Sequence, residues 1–273
     1  MNILHKNGRR IKGSRIAAFA GNVLLLLLLI GGIKLSATAQ STPGNWIEPV
    51  KGIQVLPVFH ASLEIKAAGK TVLVDPSFDA ALISELQAPD LILITDIHGD
   101  HMDPKMLALI EEKFGAIPII APKAVQEKLP AEIKEHVQVL ANGKSTTWNS
   151  YKIEAVPMYN LPDASQMFHP KGRGNGYVLT VSGKRIYLSG DTEATPELRG
   201  LKNIDLAFVC MNLPYTMDVD QAASGILAFQ PKVVIPYHYR GAKGLSDLQR
   251  FKKLVDAAGK PVKVDLVNFY PSN

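Results

Sequence analysis

One cysteine in 273 residues, Cys210, excludes any intramolecular disulfide framework, even in an oxidising compartment. It lies in the apolar run Leu206-Ala207-Phe208-Val209-Cys210, where a buried, inert thiol is expected rather than a nucleophile. Linkers and low-complexity tracts are also lacking, so nothing divides the chain after its N-terminal stretch into further domains. An excess of basic charge is lacking too, once that stretch is set aside. Residues 1–39 carry six of the thirty Lys and Arg and none of the twenty-five Asp and Glu, leaving twenty-four basic against twenty-five acidic residues, or −1. The sequence pI of 9.1 therefore supplies no argument for nucleic-acid binding.

The same 39 residues read as an export signal. Lys6, Arg9, Arg10, Lys12 and Arg15 form a positive n-region, Ile16 to Ile33 is largely apolar around Leu24 to Leu29, and Ala37-Thr38-Ala39 is a small-residue cleavage site. Cleavage would leave Gln40 first; an uncleaved membrane anchor is the alternative, because eighteen mostly apolar residues could just span a bilayer. Arg9-Arg10 is a weak hint of twin-arginine export. The expected organisation is a signal peptide over 1–39 and one α/β domain over 40–273, large enough for a substantial core. Location is then periplasmic or secreted, with membrane contact only through the signal or anchor.

Short strands and helices alternate through that domain. Strands are expected at Ile53 to Phe59, Leu63 to Ala67, Thr71 to Val74, Leu91 to Thr95, Ile117 to Ile120 and Val137 to Leu140. Helices are expected at Ala80 to Leu86, from Asp103-Pro104 through Lys113, and at Pro122 to Leu129. The second half repeats the theme, with strands at Tyr151 to Val156, Tyr177 to Val181, Arg185 to Leu188, Asp205 to Cys210, Lys232 to Pro236 and Val262 to Val267. Its helices are Val219 to Phe229 and Ser246 to Ala258. The stretch 69–75 resembles 183–191, which suggests an internal duplication. Two β-rich halves carrying helices fit two packed sheets with helices outside.

The chemistry concentrates in Thr95-Asp96-Ile97-His98-Gly99-Asp100-His101, which places four potential metal ligands on one loop leaving a buried strand. Three later segments put ligand-type residues at strand ends or in a loop before a strand: His169 in Phe168-His169-Pro170, Asp191 after Gly190, and His238 after Val233 to Tyr237. A lone histidine is more often structural than a ligand. Together these residues have the right chemistry for two metals.

On these residues the chain resembles the metallo-β-lactamase fold superfamily, whose motif is His-x-His-x-Asp-His followed by a histidine, a Gly-Asp turn and a final histidine. It looks closest to the branch of ascorbate-lactonase-like and phosphodiesterase-like hydrolases. His60-Ala61-Ser62, Thr71 to Pro76, Ile186 to Thr192, Tyr215 to Asp218 and Ile235 to His238 carry further likeness. The resemblance implies an α/β, four-layer αββα sandwich. It also implies two divalent metal ions, zinc first and manganese or iron as alternatives. One site would use Asp96, His98 and a third-motif ligand; the other Asp100, His101 and His238, with Asp191 bridging. Two positions depart from the pattern. Asp96 stands where the motif has its first histidine, and Val156 to Asn160 ends in asparagine where the third-motif histidine is common. His169 is the nearest histidine for that place; Asn160 or no protein ligand are the alternatives.

The family's reaction uses two cations to lower the pKa of a bridging water, giving hydroxide near neutral pH. Asp100 is expected to orient that water as well as to bind metal. His60 and Asp75 are expected to fix the orientation of ligands, although His60 could equally be a packing histidine. Tyr159, Tyr215 and Tyr239 are candidates to line the cleft, against the default of core or surface aromatics. Three carboxylates, Asp96, Asp100 and Asp191, would leave two divalent ions at net +1, which favours manganese or iron; the rival reading is a decayed first site. The expected substrate is a small molecule with an ester, lactone or phosphodiester bond. A β-lactam is less favoured, because the cysteine ligand of many β-lactam-cleaving relatives has no counterpart. A non-catalytic or mononuclear metal-binding, ligand-sensing member of the fold is the competing function.

Overall fold

The structure is a computed structural model, and it describes residues 45–162 and 167–270. The expected signal peptide lies outside these residues. Among them, no helix is long and apolar enough to cross a membrane.

Two seven-stranded sheets form the centre. The first follows chain order: β1 (Ile47–Val50), β2 (Ile53–Phe59), β3 (Ser62–Ala67), β4 (Lys70–Val74), β5 (Leu91–Leu93), β6 (Ile119–Ala121) and β7 (Val137–Val139). The second runs from β8 (Ser145–Trp148) through β9 (Tyr151–Met158), β10 (Gly174–Val181), β11 (Lys184–Leu188), β12 (Leu206–Val209) and β13 (Val233–Pro236) to β16 (Lys263–Val264). A hairpin of β14 (Arg240–Gly241) and β15 (Gly244–Leu245) stands apart. In each large sheet the early strands pair antiparallel and the later ones parallel, from β4 onward in one and β11 onward in the other.

This shared plan gives the likeness between the two halves a structural meaning. Ala67 pairs with Lys70 and Val181 with Lys184, so each hairpin turns on two residues. Ala68 and Gly69 have φ of 49° and 72°, and Ser182 and Gly183 have the same values. Positive φ at both central residues is the type I′ geometry that matches the twist of the flanking strands.

Side-chain alternation sorts the sheets into layers. Val72, Val74, Leu91 and Leu93 belong to the large cluster that joins the sheets, whereas Leu73, Ile92 and Ile94 belong to a second cluster. That second cluster holds Met106, Leu107 and Ile110 of α1 (Pro104–Phe114), Val125 of α2 (Lys123–Lys128) and Ile133 of α3 (Ala131–Lys134). Helices α4 (Pro196–Arg199), α5 (Val219–Phe229) and α6 (Leu248–Ala257) pack onto the other sheet through the large cluster. Central parallel strands are thus apolar on both faces, as a sheet covered by helices requires.

Local chemistry sets the boundaries. Asp103 caps α1 by accepting from Lys105 N, Pro104 occupies its first turn, and Gly115 ends it at φ 86°. Asp218 and Gln221 form a capping box at α5. The segment expected as a helix from Ala80 is a 3-10 helix, Ala80–Glu85. The strand expected over Leu91 to Thr95 ends at Leu93, and the last strand shrinks to Lys263–Val264. Strands β1 and β8, the hairpin and the short helices α3 and α4 had no clear periodic signal, because two to four residues cannot show a period.

Candidate metal centre

The ligand-type residues gather where the parallel strands of both sheets end, the usual place for a site in such sheets. Asp75 follows β4, the Asp96 to His101 loop follows β5, Asp191 follows β11 and His238 follows β13. Three of these exits need unusual backbone: Asp75 has φ 45°, Gly190 φ 58° and His238 φ 48°. Within the β5 loop, the carbonyl of His98 accepts from His101 N at 3.0 Å and Met102 N at 2.9 Å. That turn carries Asp100 and His101 toward Asp191.

Asp191 is the hub. Its Oδ2 lies 3.4 Å from His101 Nε2 and 3.2 Å from His169 Nε2, and its Oδ1 lies 3.4 Å from His238 Nε2. Asp100 closes the ring, with Oδ2 3.3 Å from His238 Nε2 and Oδ1 3.9 Å from His101 Nε2. Asp191, His101, His169 and His238 are buried, whereas Asp100 is 46% exposed. Burial opposes ionisation of Asp191, yet the charges of His238 and His101 outweigh it and hold the carboxyl well below its ordinary range. Asp100 is held low in the same way, by His238 and His60 against its burial.

These atoms fit a divalent cation. Among the described residues, His101 Nε2, His169 Nε2, His238 Nδ1 and Nε2, and Asp191 Oδ1 are buried without a hydrogen-bond partner. Buried polar atoms rarely go unpaired, and several converging ones call for an ion. Tetrahedral ligands about 2.0–2.1 Å from zinc stand about 3.3 Å apart, close to the separations around Asp191. His101, Asp191 and His238 place ligand atoms within 4.8 Å of one another, as do His60, Asp100 and His238.

The orienting groups are explicit. Asp75 is fully buried; it accepts from Thr95 N and Thr95 Oγ1 at 2.7 Å and from the ring N–H of His101 Nδ1 at 2.8 Å, which turns Nε2 toward Asp191. His60 faces the hydroxyl of Tyr270 with Nδ1, lies 3.3 Å from Asp100 Oδ2 with Nε2, and packs its ring 3.8 Å from that of His238. Asn160 lies behind His169, its Oδ1 accepting from His169 N at 2.8 Å and standing 3.1 Å from His169 Nδ1. The asparagine at the third-motif place therefore holds the histidine that reaches the hub.

Asp96 and His98 are placed differently. Asp96 lies 4.0 Å from His169 Nε2 and 3.0 Å from His98 Nδ1, and these three residues form another possible ligand group. Both Asp96 oxygens also receive Arg173, from Nε at 3.1 Å and Nη2 at 2.8 Å. Sequence reasoning missed Arg173. Its signal was indirect: a carboxylate in place of an imidazole needs a cation once buried, and Lys171 and Arg173 follow His169 closely.

An open cleft of about 250 Å³ reaches the hub, lined by His98, Asp100, Phe168, His169, Asp191, Asn212 and Tyr215. Tyr215 is the one of the three candidate tyrosines on this wall, edge-on to Phe168 at 5.1 Å. Tyr159 and Tyr239 are instead buried away from it. Tyr159 donates to Glu197 at 2.9 Å, and Tyr239 bonds Val267 O and Phe269 N. Phe168 and Asn212 carried no signal in the sequence, since neither belongs to a motif. Cys210 is buried, donates to Thr192 O, and has its thiol pushed up to about 12 by burial, so it is inert.

Residues 56–238 match the sequence profile of the family described as Beta-lactamase superfamily domain. A UPF0173 metal-dependent hydrolase of Ligilactobacillus salivarius is 32% identical over 188 residues, covering 66% of this chain and 82% of that protein. One from Thermococcus onnurineus is 32% identical over 206 residues, with 72% and 89% covered. Among solved structures, a protein of Parabacteroides distasonis assigned as a metal-dependent hydrolase is similar with a TM-score of 0.69 and 37% identity, covering 79% of this chain and 94% of that one.

Proposed function

The chain belongs to the beta-lactamase superfamily domain family, and on that premise we propose that it is a metal-dependent hydrolase that cleaves an ester, lactone or phosphodiester bond in a small molecule. The observation that carries this reading is the set of unpaired, buried ligand atoms of His101, His238, His169 and Asp191, reached by an open cleft that His169 and Asp191 line.

Asp100, His101, Asp191 and His238 would hold the cation. When bound, it supplies Lewis acidity toward the scissile bond and makes a water a better nucleophile near neutral pH. The protein's part is to aim and to hold. Asp75 keeps the proton of His101 on Nδ1, so Nε2 offers its lone pair to the centre. Asp100, alone of the four in facing solvent, is placed to orient an entering water with its carboxylate. His60 Nε2 steadies that carboxylate from behind. The cleft volume is small for a ligand site, so only the reacting end of a substrate enters beside Phe168 and Tyr215. The inert Cys210 leaves no cysteine ligand, which supports the preference against β-lactams.

Export completes the reading: residues 1–39 direct the chain out and 40–273 form the catalytic domain. N-terminal sequencing of the protein from a periplasmic or secreted fraction would then begin at Gln40. The activity is tested by metal analysis together with a hydrolysis screen over phosphodiesters, lactones, thioesters and β-lactams, with Asp191→Ala as control. Turnover of one of the first two classes, lost in the control with the metal, is the expected result. A metal-free protein with no turnover would overturn it and favour a ligand-sensing role.

A further inference from the structure

The two halves of the centre differ in what their ligand atoms already hold. Around Asp191 the ligand atoms of His101 and His238 are unpaired. Around Asp96 the carboxylate itself is taken, while His169 Nε2, 3.2 Å from Asp191 Oδ2, is unpaired. Asp96 receives Arg173 at both oxygens, and its Oδ2 lies 3.0 Å from His98 Nδ1. Arg173 Nη2 also lies 3.3 Å from the other ring nitrogen, His98 Nε2. Both oxygens of Asp96 are thus held by Arg173, and His98 lies against the same pair.

Resting on the metal-dependent reading above, we propose that Arg173 replaces a second metal ion: the centre takes one divalent cation, at Asp100, His101, Asp191 and His238, and the guanidinium is the fixed positive charge of the other half. Three observations carry this. The exchange balances chemically, because an aspartate in place of a neutral imidazole adds one negative charge and the arginine cancels it in bidentate geometry. The arginine is also strapped in place. Nη2 donates to Phe168 O at 2.7 Å, Asn175 N donates to Thr95 O at 2.9 Å, and a Cβ on Gly174 would come within 3.2 Å of Asp96 Oδ1. The backbone on either side of Arg173 is therefore fixed close to the Asp96 loop. Finally, a cation among Asp96, His98 and His169 would face the guanidinium at ligand distance beside the fully buried Asp96, where like charges repel more strongly than in bulk water. Arg173 is a positioning residue here, acting through Asp96 and His98.

The experiment counts ions rather than turnover. The protein is stripped with chelator, titrated with Mn(II), and read by elemental analysis, calorimetry and the Mn(II) electron paramagnetic resonance spectrum. The wild type is expected to hold one tight ion per chain with an uncoupled six-line spectrum. Asp96→Asn is expected to keep one, because Asp96 is not a ligand, and Arg173→Lys to keep one as well. Arg173→Met frees Asp96 and His98 and is expected to admit a second ion with a coupled spectrum. Two tight ions in the wild type, a lower content in Asp96→Asn, or a single ion in folded Arg173→Met overturns the assignment. If Arg173→Met does not fold, the wild-type and Asp96→Asn counts still decide. No ion in the wild type overturns the metal reading itself, a result distinct from a count of two.

Discussion

Asp75 Oδ2 and His101 Nδ1 meet at 2.8 Å with both side chains fully buried, and Thr95 supplies the two further hydrogen bonds that fix the carboxylate. Burial raises the Asp75 carboxyl, and His101 and Thr95 act against that rise. The pair ties the end of one strand to the loop after the next, so the ring of His101 has one orientation and one useful tautomer.

Asp75→Asn tests that control. The amide can still accept from Thr95 N with its oxygen, but it then presents an NH2 to His101 and moves the ring proton to Nε2, the atom that faces Asp191. Metal affinity is expected to fall about 10–100-fold, as for other groups that orient a metal-bound histidine. Calorimetric titration measures it, and circular dichroism checks that the fold is kept. An unchanged affinity would mean that the loop alone positions His101.

Asn160 makes a comparable prediction for His169. Its side chain accepts from His169 N and donates to Tyr215 O at 2.8 Å, joining the His169 loop to the cleft wall. Asn160→Leu keeps the size but leaves a buried N–H and a carbonyl unpaired, at about 1–3 kcal/mol for each group. The melting temperature should drop by roughly 4 °C or more, and His169→Ala added to Asn160→Leu should lower turnover little further. Additive losses in the double variant would show that the two residues act separately.

Gly190 is where the backbone leaves no alternative. At φ 58° a Cβ would stand 2.4 Å from Met158 Sδ and 3.1 Å from Thr95 Cβ. Gly190→Ala must therefore strain the chain and push on a buried methionine just before the hub aspartate. A loss of about 2 kcal/mol or more is expected, with weaker metal binding because Asp191 moves. Thermal melts with and without metal measure both; a variant as stable as the wild type would show that Met158 yields freely.

Much of this architecture was legible because its signals are local. The two-residue turns at Ala68-Gly69 and Ser182-Gly183, the Asp103-Pro104 helix start and the apolar runs of β5, β12 and β13 each announce themselves within a few residues. The loop from Asp96 to His101 did the same for half of the centre. What stayed hidden depends on distant contact. Arg173 meets Asp96 across 77 positions and Asn160 meets Tyr215 across 55, and no periodicity or motif encodes such a pairing. The count of three carboxylates against two cations was likewise incomplete without that guanidinium. Tyr159 and Tyr239 looked like cleft residues only by their place near motifs, whereas their hydroxyls are engaged in packing contacts.

Glu64 gives a pH prediction independent of the centre. It lies on β3 between Leu56 and Leu73 in register, fully buried; Oε2 accepts from Gln87 N at 3.1 Å and Oε1 has no partner among the described residues. Burial pushes its carboxyl up to about 8 from the ordinary 4.5, against the weaker pull of Gln87 N and Lys66. The folded protein therefore keeps the proton up to about pH 8, while the unfolded chain gives it up near 4.5. Folding takes up a proton between those values, so this carboxyl lowers stability as pH rises through the window, by up to about 1.4 kcal/mol per unit. Glu64→Gln cannot ionise. Its melting temperature is expected to match the wild type near pH 5 and to exceed it increasingly from pH 6 to 8. Parallel curves for the two proteins would show that Glu64 titrates as an ordinary, solvated carboxylate.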